Sequence, residues 1–162
     1  MYTTAGWENF FVAEVGAAAA LTGLLFVAVS INLAKILSFP HLPGRAGESL
    51  IMLMGVLMVS ALGLVPGQSR VALGAEIVGV GLLVWLFPIR IQRRAARLPG
   101  ARTPWVTTRA FIHQVGSLPL LVAGISILAG SGGGLYWIVP GTLLAFASGI
   151  LNSWVLLVEI QR

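Results

Sequence analysis

Glutamate and histidine are the side chains of this sequence that could bind cations or carry protons, because it contains neither aspartate nor cysteine. Glu14 and Glu76 each lie near the beginning of a long apolar segment, at similar predicted depth. Ionisable groups inside a membrane are costly and usually functional. If these two carboxylates meet, they could bind a cation or transfer a proton. The alternative is that each side chain reaches the membrane interface or pairs with Arg70.

A second group of polar residues lies at the opposite ends of the apolar segments. His113 follows Arg109 by one helical turn and precedes Ser117 by another, so these three share one face of a helix. A histidine there could exchange protons near neutral pH, and the alternative is that it hydrogen-bonds between helices. The predicted members of an ion or proton pathway are Glu14, Glu76, Asn32, His113 and Asn152.

Motifs for enzymatic or metal chemistry are missing from the sequence. It has no nucleophile elbow, no H-E-x-x-H and no phosphate-binding glycine loop between a strand and a helix. His41 and His113 are not spaced as zinc ligands. We therefore predict no enzymatic activity, no cofactor and no metal site.

The composition predicts a membrane protein. Hydrophobic residues make up 57% of the chain and charged residues 9%, whereas soluble domains carry about 25% charged residues. The apolar runs are too long, and too rarely alternate with polar residues, to be strands of a barrel. In lipid a helix satisfies all of its own backbone groups. The predicted fold class is an all-α integral membrane protein.

Five apolar segments approach the roughly 20 residues that a membrane span requires. Turn-forming residues separate them, and the second segment is the weakest of the five. We predict one transmembrane domain over residues 1–162, a bundle of about five helices over 9–37, 49–65, 71–91, 106–129 and 136–158.

The segment 90–109 contains six arginines and is predicted to be a cytoplasmic loop. With this loop inside, nine of the ten basic residues lie on the cytoplasmic side, which puts the N-terminus outside and the C-terminus in the cytoplasm. This distribution accounts for the net charge without any nucleic-acid partner, and anionic lipid headgroups are an adequate partner. The predicted lipid-contacting residues are Arg90, Arg93, Arg94, Arg97 and Arg102.

Small residues at helical spacing predict close packing between helices, because small side chains let helix backbones approach in lipid. Two segments carry such stripes, and each stripe could pack inside one bundle or form a subunit interface. On the first segment the stripe is Gly16, Ala20 and Gly23, and on the fifth it is Gly141, Ala145, Gly149 and Ser153.

The stretch WENFFVAEVGAAAALTGLLFVAVS, residues 7–30, resembles the opening of a group of small bacterial multi-pass membrane proteins without an established function. The shared pattern is a tryptophan, a nearby aromatic pair and then G-x-A-A-A-L-T-G-L-x-F-V. The resemblance covers about the first fifth of the chain. It implies a bacterial membrane protein and transfers neither a function nor site residues.

Two functions follow as hypotheses. The first is a small homo-oligomeric channel or transporter in the bacterial cytoplasmic membrane, selective for cations or protons because of the glutamates. The second is a non-transporting accessory, assembly or regulatory subunit of a larger complex. The expected partners are the bilayer and further copies of this chain, with another membrane protein as the alternative.

Overall fold

In the computed structural model, residue 4, residues 6–97 and residues 103–161 are described, without the side chains of 103–106, 156 and 159–161. These residues form six α-helices and a short 3₁₀ helix, Gly134–Trp137. The α-helices are α1 (Glu8–Ile31), α2 (Leu33–Leu37), α3 (Leu42–Gly63), α4 (Arg70–Ala96), α5 (Thr103–Ala129) and α6 (Ile138–Gln161).

Five of the helices are long and apolar enough to cross a membrane, which is the architecture of a multi-pass membrane protein. Four of them lie within α1, α3, α4 and α5. The fifth, Gly134–Val155, consists of the 3₁₀ helix and most of α6. The predicted all-helical fold with five apolar spans is therefore confirmed. The weakest predicted segment becomes α3, which has the largest buried share of the five.

The first two helices differ from their predicted bounds. The predicted helix 9–37 is interrupted at Asn32, whose side-chain amide donates a 2.9 Å hydrogen bond to the carbonyl of Ala28. The following helix begins at Leu42 rather than at residue 49, with Pro43 in its first turn. Proline is tolerated there because the first turn of a helix does not use its backbone N–H groups.

The arginine-rich segment 90–109 is mostly helical, although the sequence predicted a loop. α4 continues through Pro88 to Ala96, and α5 begins at Thr103. Arginine is a good helix former, so a high density of charge does not by itself end a helix. Apart from Arg97, the connecting residues lie outside the described part of the chain.

Helices α3, α4, α5 and α6 pack in a ring, each against its two neighbours, and α1 packs on the outside of α3. α3 and α5 are diagonal partners in this ring. Buried apolar side chains fill the middle of the bundle, among them Met52, Val56, Ile77, Val84, Ala123 and Ile127.

The two ends of the bundle carry different side chains. At the end where α1 begins, the rings of Trp7 and Tyr136 lie 5.1 Å apart and those of Trp7 and Phe11 lie 6.4 Å apart. We call this the aromatic end. The opposite end carries Arg45 and Arg109, and we call it the arginine end.

Glycines set the closest helix contacts of the ring. A Cβ atom added to Gly124 of α5 would lie 2.7 Å from the backbone nitrogen of Val78 on α4. One added to Gly74 of α4 would lie 3.0 Å from the backbone nitrogen of Leu128. α4 and α5 therefore touch backbone to backbone, as small residues allow.

The small-residue stripe of α6 lies inside the ring. A Cβ atom on Gly141 would lie 2.7 Å from Leu120 of α5, and one on Gly149 would lie 3.2 Å from Leu53 of α3. Ala145 is fully buried between them. Ser153 is half-buried and donates to the carbonyl of Gly149. This stripe therefore packs α6 against α5 and α3.

The small-residue stripe of α1 faces outward instead. Gly16, Ala20 and Gly23 are exposed, and a Cβ atom added to either glycine would meet nothing within 4 Å. The face buried against the bundle carries Phe11, Glu14, Ala18 and Leu25. The sequence suggested the glycine face for packing and the Glu14 face for a pathway. In a single chain, the Glu14 face packs and the glycine face is uncovered.

Candidate functional site

A buried ion pair lies at the arginine end. The guanidinium Nε of Arg109 on α5 donates to Oε2 of Glu48 on α3 over 2.7 Å. The Glu48 side chain is fully buried and that of Arg109 is 9% exposed. Because α3 and α5 are diagonal in the ring, this ion pair crosses the interior of the bundle.

Further polar side chains surround the ion pair. Gln92 of α4 and Arg45 of α3 both lie close enough to act on the Glu48 carboxylate. Ser49, the next residue along α3, is fully buried. We call Arg45, Glu48, Ser49, Gln92 and Arg109 the charged cluster. Three of the four ring helices contribute to it.

The charged cluster has unused hydrogen-bonding capacity. Within the described part of the chain, four of its buried atoms have no hydrogen-bond partner: Glu48 Oε1, Ser49 Oγ, Gln92 Nε2 and Arg109 Nη2. Buried polar atoms are nearly always hydrogen-bonded to protein or to ordered water. Such a group of atoms is therefore suited to holding water or an ion between the helices.

His113 lies one helical turn from Arg109 and is 1% exposed. Its Nε2 atom is 3.3 Å from the carbonyl of Trp85 on α4, and Ser117 donates to its backbone carbonyl over 2.8 Å. The indole of Trp85 donates to the side chain of Gln114 over 2.6 Å. His113 thus joins α4 to α5, in agreement with the hydrogen-bonding alternative.

The two predicted asparagines occupy different places. Asn152 is buried on α6, toward the arginine end. On the same helix, Ser148 donates to the carbonyl of Ile112 over 3.1 Å and joins α6 to α5. Asn32 lies at the junction of α1 and α2, where its side chain bonds to the backbone. Of the pair, only Asn152 is buried among the ring helices.

The two candidate glutamates lie on helices with different neighbours. Glu76 is exposed on α4 and accepts a hydrogen bond from Gln68. Glu14 is buried on α1, and the hydroxyl of Thr142 on α6 is its hydrogen-bonding neighbour. α4 packs chiefly on α3 and α5, whereas α1 packs chiefly on α3. The structure therefore gives the two carboxylates separate partners.

Four of the predicted lipid-contacting arginines are exposed along the end of α4: Arg90, Arg93, Arg94 and Arg97. The fifth, Arg102, lies outside the described residues. Arg109, which the sequence counted with the same basic segment, points into the bundle.

Sequence reasoning missed the pairing of Glu48 with Arg109. Glu48 precedes the predicted second helix, and Arg109 was placed at the end of the arginine-rich loop, one turn before His113, with no acidic partner. The signal that could have found them is a pair of opposite charges at the same end of two apolar helices, since such charges are expensive unless they pair.

The site therefore belongs to an all-helical bundle of membrane-length helices with a charged interior at one end. Among the described residues, no group of three or more histidine, aspartate or glutamate side chains could hold a metal ion. Comparisons with known protein families, with curated proteins and with solved structures find no match.

Proposed function

We propose that this protein transports protons or small monovalent cations across a bacterial cytoplasmic membrane as a homo-oligomer. The observation that supports the proposal is the charged cluster, an ion pair inside the bundle with four buried polar atoms unbonded in the described residues. Ionisable residues inside membrane proteins are rare and often mark ion pathways or proton relays. An ion pair with a purely structural role would have less reason to leave these atoms unbonded.

The proposed transport requires a conformational change. Glu48 lies at the arginine end of α3, and Ser60 lies about 18 Å further along the same helix at a rise of about 1.5 Å per residue. Beyond Ser49, the residues between them on the buried face are apolar, including Met52, Val56 and Val59. A cation that passes between the ends must therefore wait for these side chains or their helices to move.

The proposed orientation has the arginine end in the cytoplasm. The exposed arginines of α4 then meet the negatively charged inner leaflet, which attracts basic residues near its surface. The charged cluster would fill with water and ions from the cytoplasmic side. The aromatic end would lie at the outer interface, where tryptophan and tyrosine are enriched.

The variant Gln92→Leu tests the role of the charged cluster while it leaves the Glu48–Arg109 pair in place. In the transport proposal, Gln92 hydrogen-bonds to the water or the ion that fills the charged cluster. A hydrogen bond to a charged group contributes about 1.5–3 kcal/mol, and about 1.4 kcal/mol is tenfold in an equilibrium constant. We expect cation or proton flux to fall at least about tenfold in proteoliposomes under an imposed gradient. We expect the thermal stability to be unchanged or higher, because an amide with an unbonded buried nitrogen is removed.

The matched control is Gln68→Leu, just before α4 at the aromatic end, for which flux should be unchanged. Flux in Gln92→Leu equal to that of the unsubstituted protein would contradict a pathway through the charged cluster. Absence of flux in the unsubstituted protein, for both protons and Na⁺, would contradict the transport function itself.

The uncovered face of α1 favours a second candidate function, that of a non-transporting membrane subunit. Gly16, Ala20 and Gly23 form a smooth exposed surface of the small-residue type that pairs helices in lipid. In the transport proposal this surface joins copies of the chain. In the accessory proposal it docks another membrane protein.

The variant Ala20→Leu should change assembly without changing the fold. Ala20 is exposed, so a larger side chain meets no neighbour in the chain and stability should stay within about 0.5 kcal/mol. In native mass spectrometry in mild detergent, the unsubstituted protein should appear as a homo-oligomer and the Ala20→Leu variant as a monomer. An unsubstituted protein that is monomeric, or bound to a different protein, would favour the accessory function instead.

A further inference from the structure

Glu14 lies level with Ser60 at the interface of α1 and α3. A Cβ atom on Gly63 would lie 2.6 Å from the ring of Phe11, and Val29 packs against Ala46 at the other end of the interface. The two helices are therefore antiparallel, and moving forward along α1 corresponds to moving back along α3. Glu14 follows Phe11 by one turn of α1. Ser60 precedes Gly63 by one turn of α3 and is fully buried.

A third oxygen at this level comes from α6. Trp7 of α1 packs on Tyr136, just before α6. Two turns further along α1, Glu14 has the Thr142 hydroxyl as its hydrogen-bonding neighbour. Three helices thus bring a carboxylate and two hydroxyl groups to one level of the bundle.

The oxygens at this junction are buried and incompletely bonded. Glu14 is 9% exposed, and neither its Oε2 nor the hydroxyl of Ser60 has a hydrogen-bond partner among the described residues. Hydroxyl groups elsewhere in these helices donate to the carbonyl four residues earlier, as at Thr22, Ser117 and Ser153. The Ser60 hydroxyl does not make this hydrogen bond.

The hydroxyl of Thr142 lies 3.1 Å from the carbonyl of Val139, to which it donates. The same hydroxyl is the hydrogen-bonding neighbour of the Glu14 carboxylate, so Val139 and Glu14 compete for its one hydrogen. Thr142 therefore satisfies the carboxylate only in part, and Glu14 Oε2 has no hydrogen-bond partner among the described residues. A positive charge or a proton beside Oε2 would complete its bonding. A buried carboxylate without such a partner is strongly unfavourable.

We infer that Glu14, Ser60 and Thr142 bind a dehydrated monovalent cation of the Na⁺ type. A proton on Glu14 would neutralise the carboxylate and leave the Ser60 hydroxyl unbonded, whereas a cation engages the oxygens of all three helices. Oxygen ligands suit hard cations, and one carboxylate balances one positive charge. The inference rests on the proposed transport function only in naming the transported ion.

A cavity lies at the aromatic end, on the side from which an ion would approach this site. It has a volume of about 260 Å³, and its lining includes Trp7, Tyr136, Ser126 and Ser131. Phe11, whose ring contacts Trp7, lies between the cavity and Glu14 along α1.

The test measures binding of ²²Na⁺ to the purified full-length protein in mild detergent, in a K⁺-free buffer. We expect saturable binding that Glu14→Gln abolishes and that Ser60→Ala and Thr142→Val each weaken about tenfold, the loss of one charge-assisted contact. Thr142→Ser, which keeps the hydroxyl, should bind nearly as well as the unsubstituted protein. Glu8→Gln, an exposed glutamate on the same helix, is the control for loss of charge.

Thermal unfolding of each variant shows whether it folds, and Thr142→Ser together with Thr142→Val separates the hydroxyl from the packing. Binding that is absent from the unsubstituted protein, or retained in Glu14→Gln, would overturn the cation site. So would a carboxyl infrared band of Glu14 that titrates identically with and without Na⁺, since the site would then hold a proton only. Na⁺ binding without flux would support the cation site and contradict the transport function. Na⁺-independent proton flux without Na⁺ binding would support the transport function and contradict the cation site.

Discussion

Replacing Arg109 with methionine should lower the free energy of unfolding by about 3–5 kcal/mol, the usual effect of removing one partner of a buried ion pair. The substitution leaves the carboxylate of Glu48 inside the bundle without its 2.7 Å partner. Methionine has a similar length and fills most of the same space, so the loss reports on charge rather than on packing. Thermal or denaturant unfolding in mild detergent measures it.

Two comparisons make this result specific. Arg93→Met removes an exposed arginine of α4 and should change stability by less than about 0.5 kcal/mol. The double variant Glu48→Gln with Arg109→Met should recover much of the loss, because no uncompensated charge remains. If Arg109→Met unfolds like Arg93→Met, the pair contributes little and the charged cluster is more solvated than its burial indicates.

Substituting Gly124 with alanine should destabilise the ring by about 1–3 kcal/mol, the typical effect of overpacking. The new methyl group would lie 2.7 Å from the backbone nitrogen of Val78 and 3.2 Å from the backbone oxygen of Gly74. A side chain could rotate away from such a contact, but a helix backbone cannot. α4 and α5 would have to separate along their whole interface.

Gly79→Ala is the matched control, because a Cβ atom there meets nothing within 4 Å. The two variants change the same residue type in helices of the same ring, so helix propensity cancels between them. Unfolding measured under one condition should show a clear loss for Gly124→Ala and a gain of up to about 1 kcal/mol for Gly79→Ala, because alanine is the better helix former. Equal stabilities of the Gly124→Ala and Gly79→Ala variants would mean that the backbones of α4 and α5 are farther apart than in this structure.

The number and class of the helices could be predicted from the sequence because hydropathy is a local property. Twenty apolar residues in a row predict a span whatever surrounds them. Helix ends were harder to predict, as α4 shows. Its arginines were assigned to a loop, although arginine continues a helix as readily as it ends one.

The buried ion pair could not be predicted because it depends on which helices face each other. Glu48 and Arg109 are 61 residues apart, and they meet only because α3 and α5 lie diagonally across the ring. Each charge alone is compatible with a membrane interface. The sequence singled out His113, one turn from Arg109, but it could not join the two charges.

The small-residue stripes show the same limit. Gly141 and Gly149 lie inside the ring, whereas Gly16 and Gly23 face outward. Both stripes have the spacing of a helix contact, and spacing does not say whether the neighbour is another helix of the chain. The Glu14 site raised a similar problem, because Ser60 and Thr142 reach it from helices whose register follows only from the fold.

In a membrane, the ion pair that crosses the ring also constrains biosynthesis. α3 emerges from the ribosome with Glu48 before α5 delivers Arg109. An isolated charge at the centre of a membrane helix costs about 2.5–3.5 kcal/mol on insertion scales, and less where the side chain can reach the interface. We therefore expect Glu48 to stay close to the interface until its counter-charge arrives. α6, which contacts both α3 and α5, closes the ring last. A nascent chain halted before α5 would leave α3 as its least stably inserted segment.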